Sequence, residues 1–188
     1  MTSEPMRDRH PVLDPDLAAV RAAQADPEAF GALYRRYLDR VYGYCFYLLG
    51  DHHDAEDATE RTFLAALGAI GRYRDEGATF RAWLFRIAHN QIANALRARG
   101  RQRTTSLDSV REPATGDDPA GVVGLAEDGR RLRRALDGLA PDRRQVVVLR
   151  FVDGLSAREI GAVLDRSEGA IRVLQHRALR QLAEALEG

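Results

Sequence analysis

The chain has 188 residues, 45% apolar and 30% charged, with 28 basic residues, all arginine, balancing 28 acidic ones to a formal net charge of zero. That length allows one or two small globular domains, and the single cysteine, Cys45, excludes an internal disulfide and a cysteine-rich zinc site. No apolar run reaches the length of a membrane span and the N-terminal MTSEPMRDRHPVLDPD is too polar for a signal peptide, so a cytoplasmic protein with no membrane insertion is expected.

The neutral total hides a segregated charge. Residues 1–78 carry net −5, residues 79–103 net +6, residues 104–129 net −5 and residues 130–188 net +4. Two basic segments separated by acidic ones are a possible two-part footprint for a polyanion.

Residues 1–15, proline-rich and without periodicity, are expected to be a disordered leader. Asp16 to Gln24 is a short helical run, and Asp26-Pro27-Glu28 starts a second helix with Asp as cap and Pro in the first turn. Phe30, Leu33, Tyr34, Tyr37, Leu38, Val41, Tyr44, Cys45 and Leu48 then recur at helical spacing until Gly50 ends the run. Cys45 falls on that apolar face and is expected to be a small core residue. A third helix starts at Asp51 to Asp54 and continues through the apolar positions Ala55, Ala58, Thr62, Phe63, Ala66, Leu67 and Ile70 to about Arg72, with Asp54, Glu56, Asp57 and Glu60 on its exposed face. His52, His53, Glu56 and Asp57 have helical spacing suited to a metal, but the favourable placement of acids at a helix N-terminus accounts for them and nothing else completes a site. No cofactor and no catalytic role are expected.

Tyr73 to Ala78 is a loop. Thr79 to Arg103 holds six arginines and no acid. As a helix it turns Phe80, Leu84, Ile87, Ala88, Ile92, Ala95 and Leu96 to a core and gathers Trp83, Arg86, Asn90, Asn94, Arg97 and Arg101 on the other side. An aromatic ring among cations and amides suits unpaired nucleic acid, the ring stacking on a base while guanidinium groups meet phosphate. The plainer alternative is an amphipathic surface helix whose Trp is half buried.

Residues 104–129 lose periodicity and are expected to be a flexible acidic linker between domains spanning residues 16–103 and 130–188. In the second domain, helices are expected over Arg130 to Asp137 and from Pro141 through Phe151, with a stop at Asp153-Gly154. Ser156 and Glu159 form a capping box for the next helix. Asp165 to Ser167 is a tight turn, and Ile171, Leu174, Ala178, Leu182 and Ala185 give the last helix its core side. Helix, tight turn, basic helix is the pattern of a helix-turn-helix, whose second helix enters the major groove. Glu168, Arg172, Gln175, His176 and Leu179 are placed on the outward face with Arg177 and Arg180 flanking it, while Arg166 and Ser167 at the turn suit phosphate. The expected fold is therefore all-α: an N-terminal helical bundle and a C-terminal four-helix domain with a helix-turn-helix.

Four stretches in this order and spacing, DPEAFGALYRRY, DAEDATERTF, FRAWLFRIAHNQIANALR and LSAREIGAVLDRSEGAIRVLQHRALRQL, resemble the bacterial RNA polymerase sigma factors of the small extracytoplasmic-function group. The resemblance implies that core RNA polymerase is bound around Asp54, Glu56, Asp57 and Glu60. It implies that the non-template strand of the melted minus-ten element is held at Tyr73, Thr79, Trp83 and Asn90, to which the same helix face adds Arg86, Asn94 and Arg97. Arg172, His176 and Arg177 match positions that contact the minus-thirty-five duplex. Partners are then core polymerase, promoter DNA in duplex and single-stranded form, and an anti-sigma protein. Arg61 stands where the family more often has an acid, as does Asn94, and His176 is a less common choice. The alternative reading, a helix-turn-helix regulator acting without polymerase, uses the C-terminal motif and leaves the aromatic-basic helix unexplained.

Overall fold

The computed structural model describes residues 14–75, 78–105 and 133–187, and all regular structure among them is helical. All of the expected linker but residues 104–105, which extend a helix, and nearly all of the expected leader lie outside these residues. The leader gives up its end to the fold, because Asp14 is buried and its carboxylate accepts the backbone N–H of Phe80 at 2.6 Å. A lone acid in a proline-rich stretch gave no signal of that long-range contact.

Helix α1 (Leu17–Ala25) lies across a three-helix bundle. Asp26 accepts from the Glu28 N–H at 3.0 Å and opens a short 3₁₀ turn that leads into α2 (Phe30–Leu49). The buried face of α2 runs Phe30, Leu33, Tyr37, Val41, Tyr44, Cys45 and Leu49, one stripe at helical spacing. Gly50 ends it at φ 73°, returning its N–H to the Phe46 carbonyl as left-handed caps do. Asp51 caps α3 (His52–Ala69) by accepting from the Asp54 N–H, and a 3₁₀ turn over Ile70–Arg72 leads towards α4 (Phe80–Thr105). Thr79 caps α4, its hydroxyl accepting from the Ala82 N–H at 3.3 Å.

In the C-terminal half, the described part of α5 covers residues 133–137, and α6 (Pro141–Val147) follows with Pro in its first turn. The helix expected to run on through Phe151 instead widens into a π-helical turn, Val148–Val152. The extra residue keeps Val148 and Leu149 in the core and turns Phe151 and Val152 outward, 57% and 44% exposed. Helix α7 (Ala157–Leu164) opens on the expected capping box, with both the Ser156 and Glu159 halves formed. Asp165, left-handed at φ 55°, ends it, and α8 (Glu168–Glu187) starts three residues later. Gly161 permits this tight turn: a Cβ there would lie 2.5 Å from the Arg166 carbonyl oxygen.

The halves pack against each other. Val146, Val148, Leu149, Leu155, Ile160, Val163 and Ile171 join the core of the N-terminal bundle in one continuous apolar cluster. At its edge Glu159 accepts from the Thr79 hydroxyl at 2.8 Å and makes a forked pair with Arg81 at 2.7 and 2.8 Å. Arg40 on α2 donates to the Asp153 carbonyl, and the Arg133 guanidinium lies 4.6 Å from the centre of the Phe46 ring. Domains moving independently on a linker were the expectation from sequence; in this state they share a core.

Candidate nucleic-acid and partner interfaces

On α3, the register that buries Ala55, Ala58, Thr59, Thr62 and Phe63 turns Glu56, Asp57 and Glu60 to solvent. Asp54 is drawn aside into an ion pair with Arg99 of α4, and Asp57 lies 3.6 Å from Arg61 one turn on. The acidic face continues into apolar residues, Leu64 at 61% and Leu67 at 39% exposed, with Tyr34 of α2 beside the same helix at 41%; helical spacing places Leu67 and Tyr34 on the apolar faces of their helices, and both stand at the open edge of those faces. Exposed leucines flanked by acids are chemically suited to a partner surface that carries apolar and basic groups. The signal of Leu64 was available, since it falls outside the apolar register of α3.

On α4, Arg86, Asn90, Asn94 and Arg97 are exposed on one side, with Arg97 donating to the Asn94 side-chain oxygen at 2.6 Å. Trp83 stands at the edge of this face, half buried, with its ring 5.2 Å from Tyr73 and 5.5 Å from Phe80. The ring is held rigidly with part of its surface open. Tyr73 and Thr79 are placed differently from the rest. Tyr73 is 6% exposed, its hydroxyl within 3.2 Å of the Ala78 carbonyl and 3.3 Å of the Asp14 carboxylate. Thr79 is 8% exposed and occupied by its capping and Glu159 contacts. In this state both support the site from within. His89 lies between the two faces of α4, its ring 3.5 Å from the Tyr44 hydroxyl, and burial followed by the nearby Arg86 charge lowers its pKa.

On α8, Glu168, Arg172, His176 and Arg177 are exposed as expected. Gln175 is only half exposed, on the rim of the core side, because α8 packs on both α6 and α7 and its buried arc is correspondingly wide. The pole of the outward face runs instead through Val173, 50% exposed, and Arg180. Arg172 pairs with Glu168 at 2.6 Å, which holds its guanidinium over the first turn. At the turn, Ser167 accepts from the Ala170 N–H at 3.2 Å and Arg166 pairs with Asp142 at 2.6 Å. Arg143, His176, Arg177 and Arg180 line an open groove between α6 and α8. Cations rim a helix face of the width that a major groove admits.

Among the described residues no group of three His, Cys, Asp or Glu side chains is placed to hold a metal ion, and no helix is long and apolar enough to cross a membrane. The histidine cluster on α3 reduces to His53 and Glu56 at 4.0 Å on an exposed surface, while His52 stacks on Phe46 with ring centres 4.4 Å apart.

Two family models match the chain: sigma-70 region 2 over residues 33–102 and sigma-70 region 4 over residues 129–182. The ECF RNA polymerase sigma factor BldN of Streptomyces coelicolor is 38% identical over 184 residues, which cover 95% of this chain and 70% of BldN. SigE of Mycolicibacterium smegmatis, another ECF sigma factor, is also 38% identical, over 87% of this chain and 63% of its own. In three dimensions, the sigma factor RpoE of Bartonella quintana, solved with the anti-sigma factor NepR, superposes with a TM-score of 0.72 at 25% identity, over 85% of this chain and 98% of that one.

Proposed function

This chain belongs to the extracytoplasmic-function group of RNA polymerase sigma factors, and from that premise we propose how its surfaces divide the work of promoter recognition. The α8 face anchors the upstream duplex element through Arg172, His176 and Arg177, with Arg166 and Ser167 at phosphates. The α4 face receives the downstream element once melted, bases stacking against the open part of Trp83 while Asn90 and Asn94 meet base edges and Arg86 and Arg97 meet phosphates. The α3 face, with Glu56, Asp57 and Glu60 beside Leu64 and Leu67, docks on core polymerase, and Asp54 keeps the α3–α4 groove in register through Arg99. The observation that carries this division is the existence of two separate cationic faces on helices from different halves of the chain, one with a fixed aromatic ring and one on a helix-turn-helix.

The chain performs no bond chemistry in this scheme; polymerase does, in the cytoplasm. Captured bases stacked on protein gain about 1–3 kcal/mol each, enough for a few of them to offset the unpairing of a short AT-rich segment. An anti-sigma protein is the further expected partner, as one is for the Bartonella relative. A regulator acting without polymerase would leave the match to region 2 over residues 33–102 without a role.

Run-off transcription with purified core polymerase and promoter-rich genomic fragments tests the scheme, the expected result being discrete transcripts that share two upstream motifs. Arg172→Ala should abolish them and weaken upstream binding. Asn90→Ala and Arg86→Ala, both at exposed positions, should leave closed-complex binding intact and reduce strand opening about tenfold, scored by reactivity of unpaired thymines. Equal loss at both stages would count against strand capture on α4.

A further inference from the structure

Two residues on the outward face of α8 have no structural reason to be what they are. Val173 is half exposed, touches no core cluster, and is β-branched, which makes it a poorer choice for a solvated helix position than Arg, Gln or Glu. One turn earlier, Gly169 sits in the helix where an added Cβ would meet nothing within 4 Å, and its φ is not positive. Neither close packing nor backbone conformation asks for glycine there, and even in the first turn of α8 it leaves the unfolded chain more freedom to lose than alanine would. The two stack along one line of the helix, four residues apart. Around them stand Arg172, His176 and Arg177, all exposed. An apolar spot enclosed by cations and preceded by a bare stretch of backbone is a surface shaped for something that is mostly polar, negatively charged and closely approaching.

A major groove offers one apolar group, the C5-methyl of thymine, amid hydrogen-bonding edges and flanking phosphates. We propose that Val173 reads a thymine methyl in the upstream duplex element, with Gly169 letting the N-terminal part of α8 come close enough for the contact. Val173 is thus a specificity-determining residue, added to the cations that anchor the helix. The inference rests on the assignment of α8 to duplex DNA made above. Position along the helix supports it, because groove-reading helices use their N-terminal turns on base edges. Val173 is in the second turn of α8, whereas the other large apolar residues exposed on that helix, Leu179 and Leu186, lie in its second half.

The test uses reconstituted holoenzyme and a promoter duplex taken from the run-off products, in which each thymine of the upstream element is replaced singly by uracil, removing only the methyl group. Wild-type holoenzyme should lose about fourfold in affinity at one position, the amount expected for one buried methyl. Val173→Ser should bind the unmodified duplex about as weakly as wild type binds the uracil duplex, and should not distinguish the two. Val173→Ile should keep the uracil penalty. Gly169→Ala should raise the melting temperature while lowering promoter affinity, whereas a glycine with no docking role would move only the first. A flat uracil scan with an intact upstream footprint overturns the proposal and leaves the duplex assignment standing. So does a Val173→Ser variant that retains the uracil penalty, or one that instead loses core polymerase. Absence of any upstream footprint, with Arg172→Ala indistinguishable from wild type, overturns the duplex assignment and the proposal with it.

Discussion

Gly161 shows how one atom fixes the geometry of the C-terminal helix-turn-helix. The turn from α7 to α8 passes so close to α7 that the Arg166 carbonyl would lie 2.5 Å from a Cβ on residue 161, and the atom in the way is backbone. Gly161→Ala is therefore expected to open the turn, not to be absorbed by a side-chain shift. Overpacking of this kind costs about 1–3 kcal/mol, which should appear as a lower melting temperature together with weakened duplex binding. Trp83 is a second instructive case. Its ring is wedged against Tyr73 and Phe80, so Trp83→Ala removes packing as well as a stacking surface and should lower both the melting temperature and strand opening. The exposed Asn90 separates the two effects, since Asn90→Ala should affect opening alone. Sequence spacing set Trp83 among cations and away from the core, whereas its ring is half buried against the core with Tyr73 beneath it, because that contact depends on how the loop after α3 folds back.

At the level of elements, what could be read from sequence was whatever depends on neighbours along the chain. The Asp26-Pro27-Glu28 start, the Gly50 stop, the Ser156 and Glu159 capping box and the apolar stripe of α2 are all local and all formed. The π-helical turn at Val148–Val152 was not legible, since it answers to packing on α2 and α7 and not to any residue that breaks a helix. The phase of α8 was only partly legible: its apolar positions define one core side, but contact with two helices widens that side and takes in Gln175. The acidic helix α3 gives a prediction at this scale. The face proposed to dock on polymerase mixes Asp57 and Glu60 with Leu64 and Leu67, all exposed, so substitutions there should spare the fold. Glu60→Arg and Leu64→Ser should each weaken binding to core polymerase about tenfold or more in a pull-down titration, with the melting temperature within about a degree of wild type and duplex binding by α8 unchanged.

For the whole molecule, the packed arrangement of the halves turns on two carboxylates with opposite behaviour. Glu159 is partly buried, which alone would raise its pKa, but hydrogen bonds from Arg81, Ser156 and Thr79 outweigh that and hold it below the usual value. It works for α7 as a cap and for the interface as a partner of α4, and Thr79, expected from the family resemblance at the melted strand, is covered while the contact lasts. Asp153 is fully buried, neither of its carboxylate oxygens has a hydrogen-bond partner among the described residues, and burial pushes its pKa up to about 7 against the lowering pull of Arg40 and Arg81. Between about pH 4 and pH 7 the folded state therefore holds a proton on Asp153 that the unfolded chain has lost, and stability falls as pH rises through that window, then levels off. Glu159 contributes the reverse: its stabilisation is complete above the ordinary glutamate pKa and is lost as pH falls through the lowered one. For these two groups the packed state should accordingly be most stable near about pH 4 to 4.5, where folded Glu159 is ionised and the unfolded chain has only begun to lose the Asp153 proton. One pK unit corresponds to about 1.4 kcal/mol, so the rise at Asp153 sets an upper bound of about 4 kcal/mol between that optimum and pH 8. Thermal melts from pH 4.5 to 8.5 should show the decline in wild type. Asp153→Asn should remove most of it by raising the melting temperature at pH 8, while Arg81→Ala should lower stability across the range and leave the decline above pH 5 in place. A wild-type melting temperature that does not change between pH 5.5 and 8 would mean that Asp153 is solvated and that the halves separate readily in solution, which scattering measurements on the same samples would show as a larger radius of gyration.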